Sequence, residues 1–208
     1  MRKILITYMA LAALFSACEK NNLERSIWLS DPDDIGLPQY TEWGYNSFGA
    51  KMSNLYFVSY STEKPCSLEW NSTDSTLKLT MNGWLAPQDY VSGFEYIPQK
   101  DYMSLSITFP CDSVIDSQER LYLLNGRTID LTDTTVKVSI SRYDMTKKVT
   151  TVQSGELCFK RVQNLYVDNK YKEAIVSGTF DIRYVKDGKK TWLSDGRFDF
   201  GITNKLFR

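Results

Sequence analysis

The chain has 208 residues, in which 25 Lys and Arg balance 25 Asp and Glu, and it contains no histidine. A formal net charge of zero argues against nucleic acid as a partner, because phosphate binding requires a basic surplus. The absence of histidine excludes Ser-His-Asp triads, Cys-His dyads and His-ligated zinc or haem. A hydrophobic content of 42% is sufficient for one ordinary core in a chain of this length.

The N-terminus has the pattern of a bacterial export signal. Residues 1–3 include Arg and Lys, and residues 4–15 form an uncharged apolar run. That run is shorter than the roughly 20 residues that span a bilayer. Ser16 and Ala17 then lead into Cys18, and this stretch resembles a bacterial lipobox. The resemblance implies cleavage before Cys18 and acylation of its thiol, whereas the alternative is a secretory signal with an incidental cysteine.

The export signal divides the chain into three parts. We expect a lipoprotein signal peptide at 1–17, a lipidated flexible tether at 18–26 and a single β-rich domain at 27–208. Two or three acyl chains on one residue exceed what stable membrane anchoring requires. The expected location is therefore the outer membrane of the cell envelope, held by lipid, on either the cell surface or the periplasmic face.

Three cysteines remain if Cys18 is acylated, and an odd number permits at most one internal disulfide. Cys66 and Cys111 each follow a proline, at predicted strand ends or turns. A bridge between them would close a loop of about 45 residues and contribute roughly 4 kcal/mol. Cys158 lies inside a predicted strand, where we expect it to be buried as a small hydrophobic residue. The spacings match neither a zinc knuckle nor a redox pair, so we expect no metal and no cofactor.

Alternation of apolar and polar residues dominates the middle of the chain. Residues 77–81, 103–109 and 136–140 alternate with a period of two, which is typical of strands with one buried face. Residues 55–60 are apolar on both faces and predict a central strand. A short helix is predicted only near residues 113–121. The pattern therefore predicts an all-β fold, an antiparallel β-sandwich or barrel-like single domain with at most one short helix.

The clearest unit is a closing hairpin, with strands at 174–186 and 189–202 around Asp187 and Gly188. Asp-Gly is a strong hairpin turn signal because both positions tolerate positive φ. The residues expected on the buried face are Val176, Phe180, Ile182, Tyr184, Trp192, Phe198, Phe200 and Ile202. The residues expected on the opposite, solvated face of the second strand are Asp195, Arg197 and Asp199.

The same hairpin carries a family resemblance. Residues 177–181 (SGTFD) and 194–199 (SDGRFD) resemble the closing strand pair of small Bacteroidetes lipoproteins of uncharacterised function. The resemblance implies a lipobox signal and a β-rich body, and it brings no activity and no catalytic residue. Gly178 and Gly196 within it are expected at bulges or close-packing sites.

Two sets of residues are candidate binding sites. The acidic segment 31–36 with Glu42 has part of the spacing of an EF-hand calcium loop, against the alternative of a solvated acidic linker. Candidate ligand-binding aromatics are Trp43, Tyr45, Trp84 and Tyr90. Such rings can stack on a sugar, and the alternative is that they belong to the core.

Together these features predict a lipid-anchored, non-enzymatic ligand-binding accessory module, with a glycan as the candidate ligand. Acidic pairs for glycoside hydrolysis can be drawn from many positions in a chain with 25 acids, so they indicate no catalytic residue. The alternative function is a structural, assembly or protein-interaction subunit of an outer-membrane complex that binds partners through strand edges. Exposed Trp and Tyr in one concavity would favour the ligand binder, and a long flat edge would favour the assembly subunit.

Overall fold

The structure is a computed structural model that describes residues 26–59, 65–87, 102–142, 148–186 and 188–203. Its first strands are β1 (Ser47–Met52), β2 (Leu55–Val58), β3 (Cys66–Asn71), β4 (Thr76–Ala86) and β5 (Tyr102–Pro110). A 3₁₀ helix (Gln118–Leu124) and β6 (Thr128–Asp130), β7 (Lys137–Arg142) and β8 (Lys148–Thr150) follow. The chain closes with three long strands, β9 (Val152–Val167), β10 (Lys170–Lys186) and β11 (Lys189–Ile202).

All eleven strands belong to one antiparallel sheet that curls into a half-barrel. The hydrogen-bonded order is β6-β9-β10-β11-β1-β2-β4-β5-β7-β8, and β3 pairs with β4 beside this path. The two strands at the ends of the path, β6 and β8, have three residues each. The prediction of an all-β antiparallel fold with at most one short helix is confirmed.

The concave face of the sheet encloses one continuous apolar core. Aromatic rings connect its strands: Phe159 lies 5.7 Å from Phe109 and 6.0 Å from Phe198, and Phe198 stacks on Phe200 at 5.3 Å. Ring pairs at such distances add to the energy of apolar burial. The core therefore joins β5 to β9 and β11, although β5 is far from both in the order of the sheet.

The short helix differs from its expected position. Sequence pattern predicted it at 113–121, and the structure has a 3₁₀ helix at Gln118–Leu124, where Leu121 and Leu124 are fully buried. A spacing of three residues places two side chains on the same side of a 3₁₀ helix, so this one turns both leucines into the core.

The closing hairpin is confirmed, with β10 and β11 paired antiparallel along almost their whole length. Its predicted core residues Phe180, Ile182, Phe198 and Phe200 are almost fully buried. Gly178 lies opposite the Phe198 ring, and a Cβ there would come within 2.6 Å of that ring. A Cβ on Gly196 would come equally close to the Phe180 ring opposite it, so the predicted close packing of both glycines is confirmed.

A β-bulge corrects the predicted position of Trp192, whose side chain is 50% exposed rather than buried. The pairing passes from Phe180 with Gly196 to Ile182 with Leu193, so β11 has one more residue than β10 over this step. An extra residue shifts the alternation by one and exchanges the two faces of the strand. Leu193 therefore points into the core in place of its neighbour Trp192.

The structure contradicts the predicted Cys66–Cys111 disulfide, because both cysteines are buried free thiols. Cys66 pairs with Met81 of β4, whereas Pro110, the residue before Cys111, pairs with Thr76 of that strand. These positions on β4 are about 17 Å apart at the usual strand rise, while a disulfide needs Cα atoms within about 7 Å.

Cys158 is half-buried rather than buried, and its sulfur accepts a hydrogen bond from the Thr128 hydroxyl at 3.5 Å. Burial raises the pKa of the Cys66 thiol well above its ordinary value.

Within the residues described here, no helix has the length and apolar character needed to cross a bilayer.

Replacement of Phe198 tests the architecture of the hairpin. Phe198→Ala should lower the free energy of unfolding by about 3–5 kcal/mol, because it removes a buried ring from the centre of the core. Trp192→Ala, on the exposed side of the bulge, should change it by less than about 0.5 kcal/mol. Urea denaturation measures both, and a wild-type midpoint for Phe198→Ala would contradict the register of β11.

Candidate functional site

An N-terminal strap, defined as residues 26–46, lies over the outer face of the sheet before the chain enters β1. The strap folds back on itself through backbone hydrogen bonds. Ile27 N–H donates to the Tyr45 carbonyl at 2.7 Å, and Gln39 N–H donates to the Leu29 carbonyl at 2.6 Å. The strap therefore runs out and back as two adjacent segments, and its attachment to the sheet depends on side chains of β1, β2 and β11.

Asp199 of β11 is the main attachment point, and it corrects the prediction of a solvated acid. Its side chain points away from the core, but the strap covers it and leaves only 2% of the residue exposed. Its carboxylate accepts hydrogen bonds from Thr41 Oγ1 (2.5 Å), Trp43 N (3.1 Å), Gly44 N (2.8 Å), Tyr45 N (3.2 Å) and Ser177 Oγ (2.8 Å). Five donors compensate the cost of burying one negative charge.

Two ion pairs attach the other end of the strap. Arg197 of β11, also predicted to be solvated, pairs with Asp31. The backbone N–H of Asp33 and this guanidinium hold the pKa of Asp31 below its ordinary value, against the opposing effect of burial. Lys51 of β1 pairs with Asp34 at 2.6 Å.

Asp34 also accepts a hydrogen bond from the Tyr56 hydroxyl at 3.1 Å. Burial alone would raise the pKa of Asp34, but the hydrogen bonds from Lys51 and Tyr56 outweigh it and lower the pKa. Two acids of the segment, Asp31 and Asp34, are thus paired with cations of the sheet, which corrects the alternative of a solvated linker. Over the parts of the chain for which the structure gives positions, no cluster of three potential metal ligands occurs.

Two hollows open beside the strap and meet at Tyr40, which lines both. The first has a volume of about 560 Å³ and lies between the strap and β9, where Trp43 faces Arg161 and Gln163. The second has a volume of about 490 Å³ and lies over β9, β10 and β11. Its lining includes Glu156, Thr179, Asp181, Asp195 and Arg197. We call the two neighbouring hollows together the groove, with an aromatic half that Trp43 lines and an acidic half that Asp181 and Asp195 line.

The aromatic half of the groove combines an exposed ring with oriented polar groups. Trp43 is 70% exposed, more than any other large apolar residue in the part of the chain that the structure describes. Gln163 donates its amide N–H to the Glu42 carbonyl at 3.3 Å. Arg161 donates to the Gln163 amide oxygen through Nε and Nη2, at 3.2 and 3.1 Å. These bonds hold the amide and the guanidinium in fixed orientations beside the indole.

The acidic half of the groove is rich in hydrogen-bond acceptors. Burial raises the pKa of Asp181, and the neighbouring carboxylates of Asp195 and Glu156 add to the increase. At the junction of the hollows, the Tyr40 hydroxyl donates to a Glu42 carboxylate oxygen at 3.0 Å. Burial and this carboxylate raise the pKa of Tyr40, so its proton stays in place at neutral pH.

The candidate aromatics that the structure describes do not form one cluster. Trp43 lies in the groove, and Tyr45, two residues on in the strap, is half-buried. Trp84 is half-buried and packs against Tyr102 at 5.4 Å, in a separate outer-face cluster around Val58. The predicted residues Tyr90 and Cys18 both lie outside the described residues.

Arg161 and Gln163 were not among the residues that the sequence marked as a candidate site, and neither Tyr40 nor Asp181 was chosen as a ligand-binding residue. Alternation around Val162 places Arg161 and Gln163 on the outer face of β9, so their direction could have been read from the pattern. Their position next to Trp43 could not, because it depends on where the strap lies.

The ion pairs of the strap predict an acid-sensitive stability. A carboxyl whose pKa is lowered by folding contributes stability above its unfolded pKa of about 4, and this contribution is lost as pH falls through the folded pKa. Asp34→Asn should therefore lose less stability than wild type between pH 5 and pH 2. Asp33→Asn, an exposed acid of the same loop, serves as the matched control. Urea midpoints at each pH provide the measurement, and equal acid losses for Asp34→Asn and wild type would contradict the assignment.

Comparisons with known proteins leave the chain without an assigned family. No protein-family model matches the sequence, no curated protein matches it, and no solved structure matches its fold. The resemblance of the closing hairpin to Bacteroidetes lipoproteins therefore stays a prediction, and the case for function depends on the groove.

Proposed function

We propose that this protein is a non-enzymatic saccharide-binding module of the bacterial cell envelope, tethered to a membrane by lipid on Cys18. The observation that carries the binding proposal is Trp43, a large aromatic ring left 70% exposed above a hollow of about 560 Å³. A soluble protein gains nothing in stability from holding such a ring in water. Its exposure beside oriented polar groups is typical of a recognition surface.

The chemistry of the groove suits a sugar. One face of a pyranose ring presents C–H groups that pack on an indole, and the hydroxyls around its edge both donate and accept hydrogen bonds. Trp43 supplies the apolar platform, Arg161 and Gln163 supply donors, and Glu42 supplies acceptors. The acceptors of the acidic half, such as Asp181, are available to further sugar hydroxyls beside this platform.

The alternative of an assembly subunit has weaker support. Binding by strand addition needs a long exposed edge, and the terminal strands β6 and β8 of the hydrogen-bonded path have only three residues each. The other edges are short as well or partly covered: β3 has six residues and pairs only with β4, and β6 covers residues 156–158 of β9. Short edge strands are a feature by which proteins limit edge-to-edge pairing. Only part of the aromatic cluster expected of a ligand binder is present: Trp43 is exposed, and the half-buried Tyr40 lines the same hollow. This partial cluster supports the ligand binder.

The location in the envelope rests on the lipobox-like residues before Cys18. Ser26 lies eight positions after Cys18, so an extended tether would place Ser26 at most about 30 Å from the lipid surface. A binding module so placed would retain polysaccharide close to the membrane.

Removal of the exposed indole tests the binding proposal. Trp43→Ala should weaken retention by a polysaccharide about tenfold or more, because the platform for the ring is lost. The measurement is native electrophoresis through gels that contain neutral or acidic polysaccharides, followed by calorimetry with oligosaccharides of the retaining type. Trp192→Ala removes a comparably exposed Trp outside the groove and should bind as wild type does.

Two results would overturn the binding proposal. One is unchanged retention of Trp43→Ala, and the other is the absence of wild-type retention by every polysaccharide in the panel. Release of reducing ends from a retained polysaccharide would contradict the non-enzymatic part of the proposal alone.

Replacement of Cys18 tests the anchor. Cys18→Ala should abolish incorporation of an alkyne-labelled fatty acid and move the protein from the membrane to the soluble fraction, or leave an uncleaved precursor. Cys158→Ala is the matched control and should label as wild type does. Persistent labelling of Cys18→Ala would refute the lipid anchor.

A further inference from the structure

The backbone that carries Trp43 is attached to the sheet through an unusual concentration of donors. The N–H groups of Trp43, Gly44 and Tyr45 converge on the Asp199 carboxylate at 3.1, 2.8 and 3.2 Å. Gly44 has φ +75°, a left-handed conformation that allows successive N–H groups to point into one concavity. Such a nest binds an anion, and here the anion is a side chain of the same molecule.

Asp199 is itself fixed by the strand below it. Its neighbours Phe198 and Phe200 are buried in the core, so β11 cannot slip in register without exposing both rings. From β10, the Ser177 hydroxyl donates to Asp199 Oδ1 at 2.8 Å. The carboxylate therefore presents its oxygens to the strap in one orientation.

The direct consequence is that Trp43 has a fixed backbone and a free ring. Its N–H is bound to a buried group, while its side chain is largely exposed. The preceding residue is held as well, because the Glu42 carbonyl accepts the Gln163 amide at 3.3 Å. A platform whose backbone is already ordered loses less entropy when a ligand binds.

We propose that Asp199 is the positioning residue of the saccharide site: its buried carboxylate orders residues 43–45 and so sets the Trp43 ring against Arg161 and Gln163. This inference rests on the proposed function. Asp199 lies beneath the strap and acts on the ligand only through Trp43. If Asp199 had only a structural role, its replacement would lower the stability of the protein and leave the saccharide affinity of the folded variant unchanged.

Asp199→Asn tests the role with almost no change in shape. The amide replaces one acceptor oxygen with an NH₂ group that faces the donors of the nest, so the strap should lose its attachment. In the folded variant, affinity for the retaining polysaccharide should fall about tenfold. Ile202→Val, a core change on the same strand, is the control for stability and should lower the melting temperature while binding as wild type does.

Fluorescence supplies a second readout that needs no ligand. Acrylamide quenching is measured with and without Trp43→Phe, and the difference isolates the Trp43 signal from that of the other four tryptophans. Asp199→Asn should change this Trp43 component, and Ile202→Val should not. If Asp199→Asn fails to fold, Gly44→Ala replaces it, since a Cβ at φ +75° strains the nest and would lie 3.3 Å from Ile175.

The outcomes separate the positioning role from the proposed function. Binding by Asp199→Asn equal to wild type, with a reduced melting temperature, would overturn the positioning role and leave the saccharide site standing. Failure of the wild type to bind any polysaccharide would overturn the proposed function. In that case the fluorescence readout still tests the positioning role. If acrylamide quenching of Trp43 is the same in Asp199→Asn as in wild type, Asp199 does not order residues 43–45.

Discussion

The buried carboxylate of Asp199 is the interaction on which the outer half of this structure depends. A charge with 2% exposure is stable only if hydrogen bonds replace its water, and four of its five donors come from the strap. Carboxylate and strap are therefore mutually dependent: without the strap the charge would return to solvent, and without the charge three backbone N–H groups would lose their acceptor. The position of Trp43, and with it the groove, follows from this contact.

The opposite face of the same strand explains why Asp199 is a reliable attachment point. The rings of Phe198 and Phe200 are stacked in the core, and Gly178 of β10 leaves room for the Phe198 ring across the strand pair. Packing of this kind tolerates little displacement, because the interior is close-packed and a shift would open a cavity. A rigid inner face thus holds the strap in place on the outer face.

The ion pairs at the far end of the strap have a different character. The Lys51–Asp34 and Arg197–Asp31 pairs are partly exposed, so each contributes little free energy on its own. Their effect is to limit where the strap can lie, since two cations on neighbouring strands meet two acids three residues apart. The strap is held at Asp31 and Asp34 and again at residues 41–45, and the groove opens beside residues 39–43.

Local pattern was enough to establish the sheet and its closing hairpin. Alternation with a period of two assigns the faces of a strand from the chain alone, and the Asp-Gly pair after residue 186 marks the turn. Phe198 was placed in the core on this basis, correctly. The bulge that turns Trp192 outward was signalled only by Gly196, for which a bulge and close packing were both expected. The extra residue is its neighbour Asp195, which adopts φ 54° although it is not a glycine.

The tertiary structure alone decided the candidate site. Alternation shows that Asp199 and Arg161 point away from the core, but it carries no information about what covers the outer face of a sheet. The partners of Asp199 in the strap are 154 to 158 positions away in sequence, and their approach depends on the curl of the whole sheet. The failed Cys66–Cys111 pairing has the same origin, since spacing along the chain does not give distance across a sheet. The sequence by itself determined which residues are compatible with a buried or an exposed face, because side-chain direction in a strand is a local property. Which exposed face becomes a groove, and which acid becomes its buried support, depends on contacts that exist only after the chain has folded.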